Sequence, residues 1–147
     1  GYVGRNVPRV RPASFVSLYR RLSRAIADGL AASVHGVYRG GLGVHLALVA
    51  MGGDLGMTVD LAKVPADGVG GDAALLFSES AGRFIVTVDP QRRGAFETLF
   101  EGLPCACVGR ITEEPILAIS GLDGRMLASV GIPELKAAWK KPFGDLI

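Results

Sequence analysis

Val37-Tyr38-Arg39-Gly40-Gly41-Leu42-Gly43-Val44-His45-Leu46-Ala47-Leu48-Val49-Ala50-Met51 is the stretch on which the fold turns. The residues leading into it, Ala32 to Val37, read as a short strand. The paired glycines allow a tight reversal, and Leu42–Met51 is apolar nearly all round, which predicts a helix that needs cover on both sides. A strand end, two glycines and a buried helix suit helices packed on a sheet. The start of that helix offers unpaired N–H groups and the positive end of the helix dipole, a setting that favours an anion. Arg39 adds a fixed positive charge there. On pattern alone the simpler reading is a tight turn with close helix–sheet packing, because short glycine motifs have many false positives.

Upstream, residues 1–12 read as an extended linker, since Pro8 and Pro12 disfavour helix before them. A helix follows, capped by Ser14, with Phe15, Leu18, Tyr19, Leu22, Ala25 and Ile26 at helical spacing and Asp28-Gly29 as its stop. Arg20, Arg21 and Arg24 fall largely off that apolar stripe. Downstream, Gly52-Gly53 stops the apolar helix, Met57–Leu61 reads as a strand, and residues 62–73 as a loop. Leu75–Ser80 reads as an apolar strand with Glu79 near its end, where a carboxylate is partly desolvated unless paired. Three placements are open to Glu79: paired with Arg83, exposed, or facing a ligand. A strand over Arg83–Val88, a helix opened by Pro90, and strands over Ala106–Ile111, Ile116–Ser120 and Met126–Val130 complete the order, with a turn at Gly121–Gly124 and a last helix from Pro133. The sequence thus predicts one domain over 13–147, an α+β layered α/β sandwich with a mixed sheet, and Leu42–Met51 as its most buried helix.

Composition narrows the function classes. The 147 residues are 49% hydrophobic and 20% charged, enough for a packed core. No uninterrupted apolar stretch approaches the ~18 residues of a membrane span, and a membrane partner is not expected. Net charge is +2 but uneven: residues 1–39 hold seven arginines against one acid, so the basic third suits an acidic neighbour or a phosphorylated ligand, or simply a solvated helix face. Cys105 and Cys107 have neither zinc spacing nor unstrained disulfide geometry, and read as two small buried side chains in a reducing, cytoplasmic compartment. His35 and His45 are not spaced with a carboxylate as metal ligands would be. A hydrogen-bonded core or rim position is the expectation for both, and no metal is assigned. No Walker A run, Gly-x-Ser-x-Gly or Cys/His nucleophile pair is present.

The motifs, taken in order, resemble the C-terminal domain of the synthetase family that includes aminoimidazole ribonucleotide synthetase and formylglycinamidine synthase. Its His-Asp-x-Ser-Asp/Glu-Gly-Gly-Leu motif is matched by His35-Gly36-Val37-Tyr38-Arg39-Gly40-Gly41-Leu42. Its Gly-Leu-Gly and Val-Asp-Leu segments are matched by Asp54-Leu55-Gly56-Met57-Thr58-Val59-Asp60-Leu61, and its Leu-Phe-Ser-Glu by Leu76-Phe77-Ser78-Glu79. Val108-Gly109-Arg110-Ile111 and the tail Trp139-Lys140-Lys141-Pro142-Phe143 point to the formylglycinamidine synthase branch. The departure lies at Gly36, Tyr38 and Arg39, which replace the family's acidic and hydroxyl positions and put magnesium ligation there in doubt.

The resemblance implies an ATP- and magnesium-dependent ligase of purine biosynthesis. ATP activates the amide oxygen of formylglycinamide ribonucleotide, and glutamine-derived ammonia displaces phosphate. It implies an upstream ATP-binding domain of the same enzyme, a glutaminase and small accessory subunits as partners, and no nucleic acid. It places Tyr38, Arg39, Gly40, Gly41, Glu79 and His35 along a phosphate- or substrate-binding wall, with the catalytic residues unassigned. The alternatives are a non-catalytic scaffold or interaction domain, or the equivalent domain of a hydrogenase-maturation or selenophosphate-synthetase-like enzyme.

Overall fold

A computed structural model describes residues 12–146. The expected linker over 1–12 lies outside these, apart from Pro12. Helix α1 spans Pro12–Ala27, opening on a proline whose missing N–H is not needed in the first turn. Ser14 therefore sits inside that turn and does not cap it. Strand β1 is Ser33–Val37, helix α2 Gly41–Gly53 and strand β2 Gly56–Asp60. Helix α3 is Asp72–Phe77, strand β3 Arg83–Thr87 and helix α4 Arg93–Leu99 after a short 3-10 turn at Pro90–Arg92. Strands β4 Gly109–Thr112, β5 Ile116–Ser120 and β6 Met126–Gly131 precede helix α5, Ile132–Lys140.

Four strands form a mixed sheet in the order β4-β2-β5-β6, in which β2 and β5 run parallel and the outer pairings are antiparallel. β1 and β3 pair separately as an antiparallel ribbon, with His35 opposite Ile85 and Val37 opposite Arg83. Because successive strand side chains point to opposite faces, the ribbon serves two cores. Val34, Phe84 and Val86 join Leu22 and Ala25 of α1, Phe96 of α4 and Phe100 just after it. Val37 and Ile85 face the main core, where Leu42, Leu46 and Ala50 of α2 meet Met57, Val59, Leu117 and Ile119 of the sheet and Ile132 of α5. α2 is thus covered on both sides, as its apolar circumference requires, and carries the largest set of buried residues of any helix among the described residues.

Three expectations are corrected. Leu75–Ser80 is not a strand: α3 occupies Asp72–Phe77 and Glu79 lies in the loop after it. The five apolar residues Ala73–Phe77 do not separate helix from strand by periodicity, and Ala73-Ala74-Leu75-Leu76 are strong helix formers that follow Gly71-Asp72. The strand expected over Ala106–Ile111 begins only at Gly109, although the Val108 carbonyl already accepts from Asp60 N at 2.8 Å. Cys105 and Cys107 are both exposed free thiols, since the connection between α4 and β4 that carries them crosses the surface.

Candidate functional site

The site forms where β1 ends. Gly40 and Gly41 have φ of 90° and 74°, values that side-chain-bearing residues rarely adopt, and they turn the chain from the ribbon into α2. Gly41 is also fixed by packing: a Cβ there would lie 2.6 Å from the Leu76 carbonyl oxygen and 2.7 Å from Phe77 Cα. The glycine pair therefore makes both the turn and a backbone-to-backbone approach between the start of α2 and the end of α3.

Beside this turn lies a cavity of about 420 Å³ between α1, the ribbon and the loop after α3. Tyr19, Tyr38, Arg39, Glu79, Arg83 and Phe84 are among its lining residues. Of the residues singled out from sequence, Tyr38, Arg39 and Glu79 line this space, and Gly40 and Gly41 form the turn at its edge. His35 does not line it. Its side chain is on the opposite side of the turn, in a second groove of about 420 Å³ with Ser33, Leu48, Val49 and Thr87. Sequence reasoning missed Tyr19 and Arg83 as wall residues. Tyr19 was read as part of the apolar stripe, yet it is more than half exposed, and that mismatch in a helix facing the ribbon was its only signal.

Glu79 accepts a hydrogen bond from Gly40 N at 2.8 Å. Its carboxylate thus sits at the N-terminus of α2, where an external anion would otherwise be favoured. Arg83 does not pair with Glu79. It donates to the carbonyls of Ser78 and Ser80, so it fastens the loop that presents the carboxylate.

The departures from the family motif are coupled in space. A Cβ at Gly36 would overlap the Tyr38 ring. The Tyr38 phenol occupies the room beside Gly36, so a side chain at 36 would displace that exposed ring. No group of three or more His, Cys, Asp or Glu side chains suited to a metal occurs among the described residues. The loop's own positions, Gly36, Tyr38 and Arg39, offer no carboxylate. Magnesium does not fit this loop, and the cation that faces the cavity from it is Arg39.

His45 is only 5% exposed and fully engaged. Tyr38 N–H donates to its Nε2 at 2.9 Å, the Arg39 carbonyl oxygen is 3.2 Å from the same nitrogen, and its Nδ1 lies 2.8 Å from Nε2 of His35. The pleat explains the meeting: His35 points from the ribbon toward α2, and His45 is one turn into that helix. Burial, and then the neighbouring His45, hold His35 below the usual histidine range. No buried side-chain polar atom among the described residues lacks a partner.

Comparison with known proteins agrees with this architecture. Residues 3–121 match the family described as AIR synthase related protein, C-terminal domain. The chain is 32% identical over 128 residues to the phosphoribosylformylglycinamidine synthase subunit PurL of Lactobacillus helveticus, covering 87% of this chain and 16% of that protein. It is 35% identical over 125 residues to the same subunit of Deinococcus radiodurans, covering 83% of this chain and 16% of that one. It therefore spans about 16% of the length of these relatives. Among solved structures, T. maritima PurL complexed with FGAR superposes with a TM-score of 0.77 at 20% identity, over 88% of this chain and 22% of that chain. The hydrogenase maturation protein HypE in complex with ATP gives 0.62 at 18% identity, over 79% of this chain and 41% of that chain. At those identities the structural likeness speaks for the fold alone. With the glycine loop, the buried helix behind it and the mixed sheet in the family's order, the chain belongs to the AIR synthase related protein C-terminal domain family.

Proposed function

We propose that the chain is the C-terminal synthetase-type domain of a phosphoribosylformylglycinamidine synthase and forms one wall of its substrate or nucleotide cleft. The observation that carries this reading is the sequence likeness to PurL subunits over 83–87% of the chain. It is joined to a cavity with cationic and aromatic walls at the family's glycine loop. The whole enzyme would use ATP to activate the amide oxygen of formylglycinamide ribonucleotide and ammonia to displace the phosphate. An upstream ATP-binding domain, a glutaminase and small accessory subunits would complete it. Within this domain Arg39 binds a phosphate oxygen by charge-assisted hydrogen bonds, Tyr19 and Tyr38 wall the space, and Glu79 guards the helix end.

Two measurements test the reading. The 147-residue chain alone is expected to give no ATP-dependent turnover of formylglycinamide ribonucleotide with glutamine or ammonia, and turnover by it would refute the assignment of this chain as a partial wall. In the full-length protein, Arg39→Ala is expected to weaken binding of the phosphorylated ligand roughly tenfold or more, the scale of one charge-assisted hydrogen bond. Unchanged affinity with the fold intact would leave a scaffold domain in its place.

Glu79 gives a test of opposite sign. Glu79→Gln keeps an acceptor for Gly40 N–H but removes the charge that repels an incoming anion. Phosphate affinity of the chain, read by titration, is expected to rise roughly fivefold, the scale of one like-charge contact at about 4 Å in water. A fall in affinity would show that the carboxylate helps to hold the ligand.

A further inference from the structure

The two histidines are not needed to explain the cavity, yet they join its loop to the groove on the far side of the ribbon. Their hydrogen bonds fix their protons. Tyr38 N–H can only donate, so Nε2 of His45 must be the bare nitrogen of a neutral ring. Its proton is then on Nδ1, which donates to Nε2 of His35. Nε2 of His35 is therefore also bare, and its own proton is on Nδ1. The resting chain runs Tyr38 N–H to His45 to His35, with one direction of donation throughout.

A single added proton cannot leave this chain intact. If it charges His45, Nε2 becomes an N–H. If it charges His35, Nε2 of His35 becomes a donor and Nδ1 of His45 must turn acceptor, which again moves the His45 proton to Nε2. Either way Nε2 of His45 faces Tyr38 N–H as a second donor. The acceptor it then has is the Arg39 carbonyl, already 3.2 Å away. We propose that His35 and His45 form a protonation-operated latch, which holds the Tyr38–Gly41 loop by Tyr38 N–H when neutral and by the Arg39 carbonyl when charged. His35 lines the groove with Ser33 and Thr87, so the proton enters there and acts at the loop some distance away.

The surroundings suit a neutral resting pair. From the loop, the Tyr38 phenol ring lies edge-on to His45 at 5.5 Å, and Arg39 and Glu79 face the cavity. From the ribbon, His35 is opposite Ile85, while Arg83 is opposite Val37 and is bound to carbonyls. From α3, Asp72 accepts from Leu122 N. From α5, Lys136 pairs with Asp54 at the far end of α2, and Glu134 and Lys140 are exposed. None of these carboxylates contacts either ring to hold a charge there. Since the fold depresses the His35 pKa, the unfolded chain takes up the proton first. The stability contributed by neutral His35 is full above the ordinary histidine range and is lost as pH falls from there through the folded value.

The latch concerns the loop's own hydrogen bonds and holds whatever ligand the cavity takes. Ring ¹⁵N shifts and amide exchange of the labelled chain test it. At about pH 7.5, Nε2 of His45 should be unprotonated and Nδ1 protonated. On acidification Nε2 should gain a proton, the Tyr38 amide should shift with the same midpoint, and its protection factor should fall roughly tenfold or more, the loss of one hydrogen bond. In His45→Gln, whose side-chain carbonyl accepts but does not titrate, the Tyr38 amide should show no such midpoint. A His45 Nε2 already protonated at neutral pH would overturn the proposal, as would a Tyr38 amide that ignores the histidine titration. An unchanged midpoint in His45→Gln would do the same. Should that variant fail to fold, the ring shifts of the unsubstituted chain decide alone.

Discussion

Leu46→Asp is expected to abolish cooperative folding. Leu46 is 1% exposed, in the core where α2 meets β2 and β5, and no cation reaches it there. The change removes a packed side chain and buries a carboxylate without a partner, which costs several kcal/mol, on the order of the whole stability of a domain this size. Leu48→Asp is the internal control. The apolar circumference of α2 suggested equal burial, but Leu48 is only half-buried and lines the groove beside His35, so its carboxylate stays hydrated. Chemical denaturation should give a cooperative transition for Leu48→Asp and none for Leu46→Asp. Similar transitions for both would mean that α2 is not held between two apolar layers.

Gly41→Ala is expected to cost about 2–4 kcal/mol, the sum of a left-handed backbone at a residue with a Cβ and a collision with backbone that cannot rotate away. The methyl group would meet the Leu76 carbonyl and Phe77 Cα at 2.6–2.7 Å, so α3 must withdraw from α2. That shift moves the loop carrying Glu79, and the Gly40–Glu79 bond should weaken with it. Thermal melts measure the first effect, and exchange of the Gly40 amide the second. An alanine variant with wild-type stability and a protected Gly40 amide would show that the approach of the two helices is not tight. Gly52→Ala, where a Cβ has open space, should change stability little and serves as the comparison.

Much of the fold was legible because it is written in short-range patterns. Ile116–Ile119 is a short apolar run bounded by Pro115 and the turn Gly121–Gly124, and the run from Gly41 to Met51 is apolar on every side, so β5, the following hairpin and α2 follow from run length, turn residues and helical period. The glycine loop with Tyr38 and Arg39 was legible for the same reason, whereas the residue pattern left Glu79 open among three placements and its contact with Gly40 comes from the structure. α3 was not legible, because the five apolar residues Ala73–Phe77 satisfy either period and a run that short carries no further local signal. The exposure of Cys105 and Cys107 was hidden too, since small apolar-compatible side chains carry no signal for which side of a connection they face.

What the tertiary structure alone decided is which distant residues touch. The amino-acid order determined a strand, a glycine pair, a buried helix and an arginine at their junction, because each depends on neighbours within a few positions. It could not show that β1 leaves the main sheet to pair with β3 as a ribbon, since strand partners are chosen by long-range closure and not by local propensity. That pairing turns His35 toward α2 and sets it against His45, and it brings Tyr19 of α1 over the cavity. Gly36 likewise read as a lost acid in the sequence, and only the structure shows the Tyr38 ring lying in the space beside it. Local chemistry was available from the residues, but the site is made by contacts across ten to sixty positions, whose energies exist only once the chain has closed on itself.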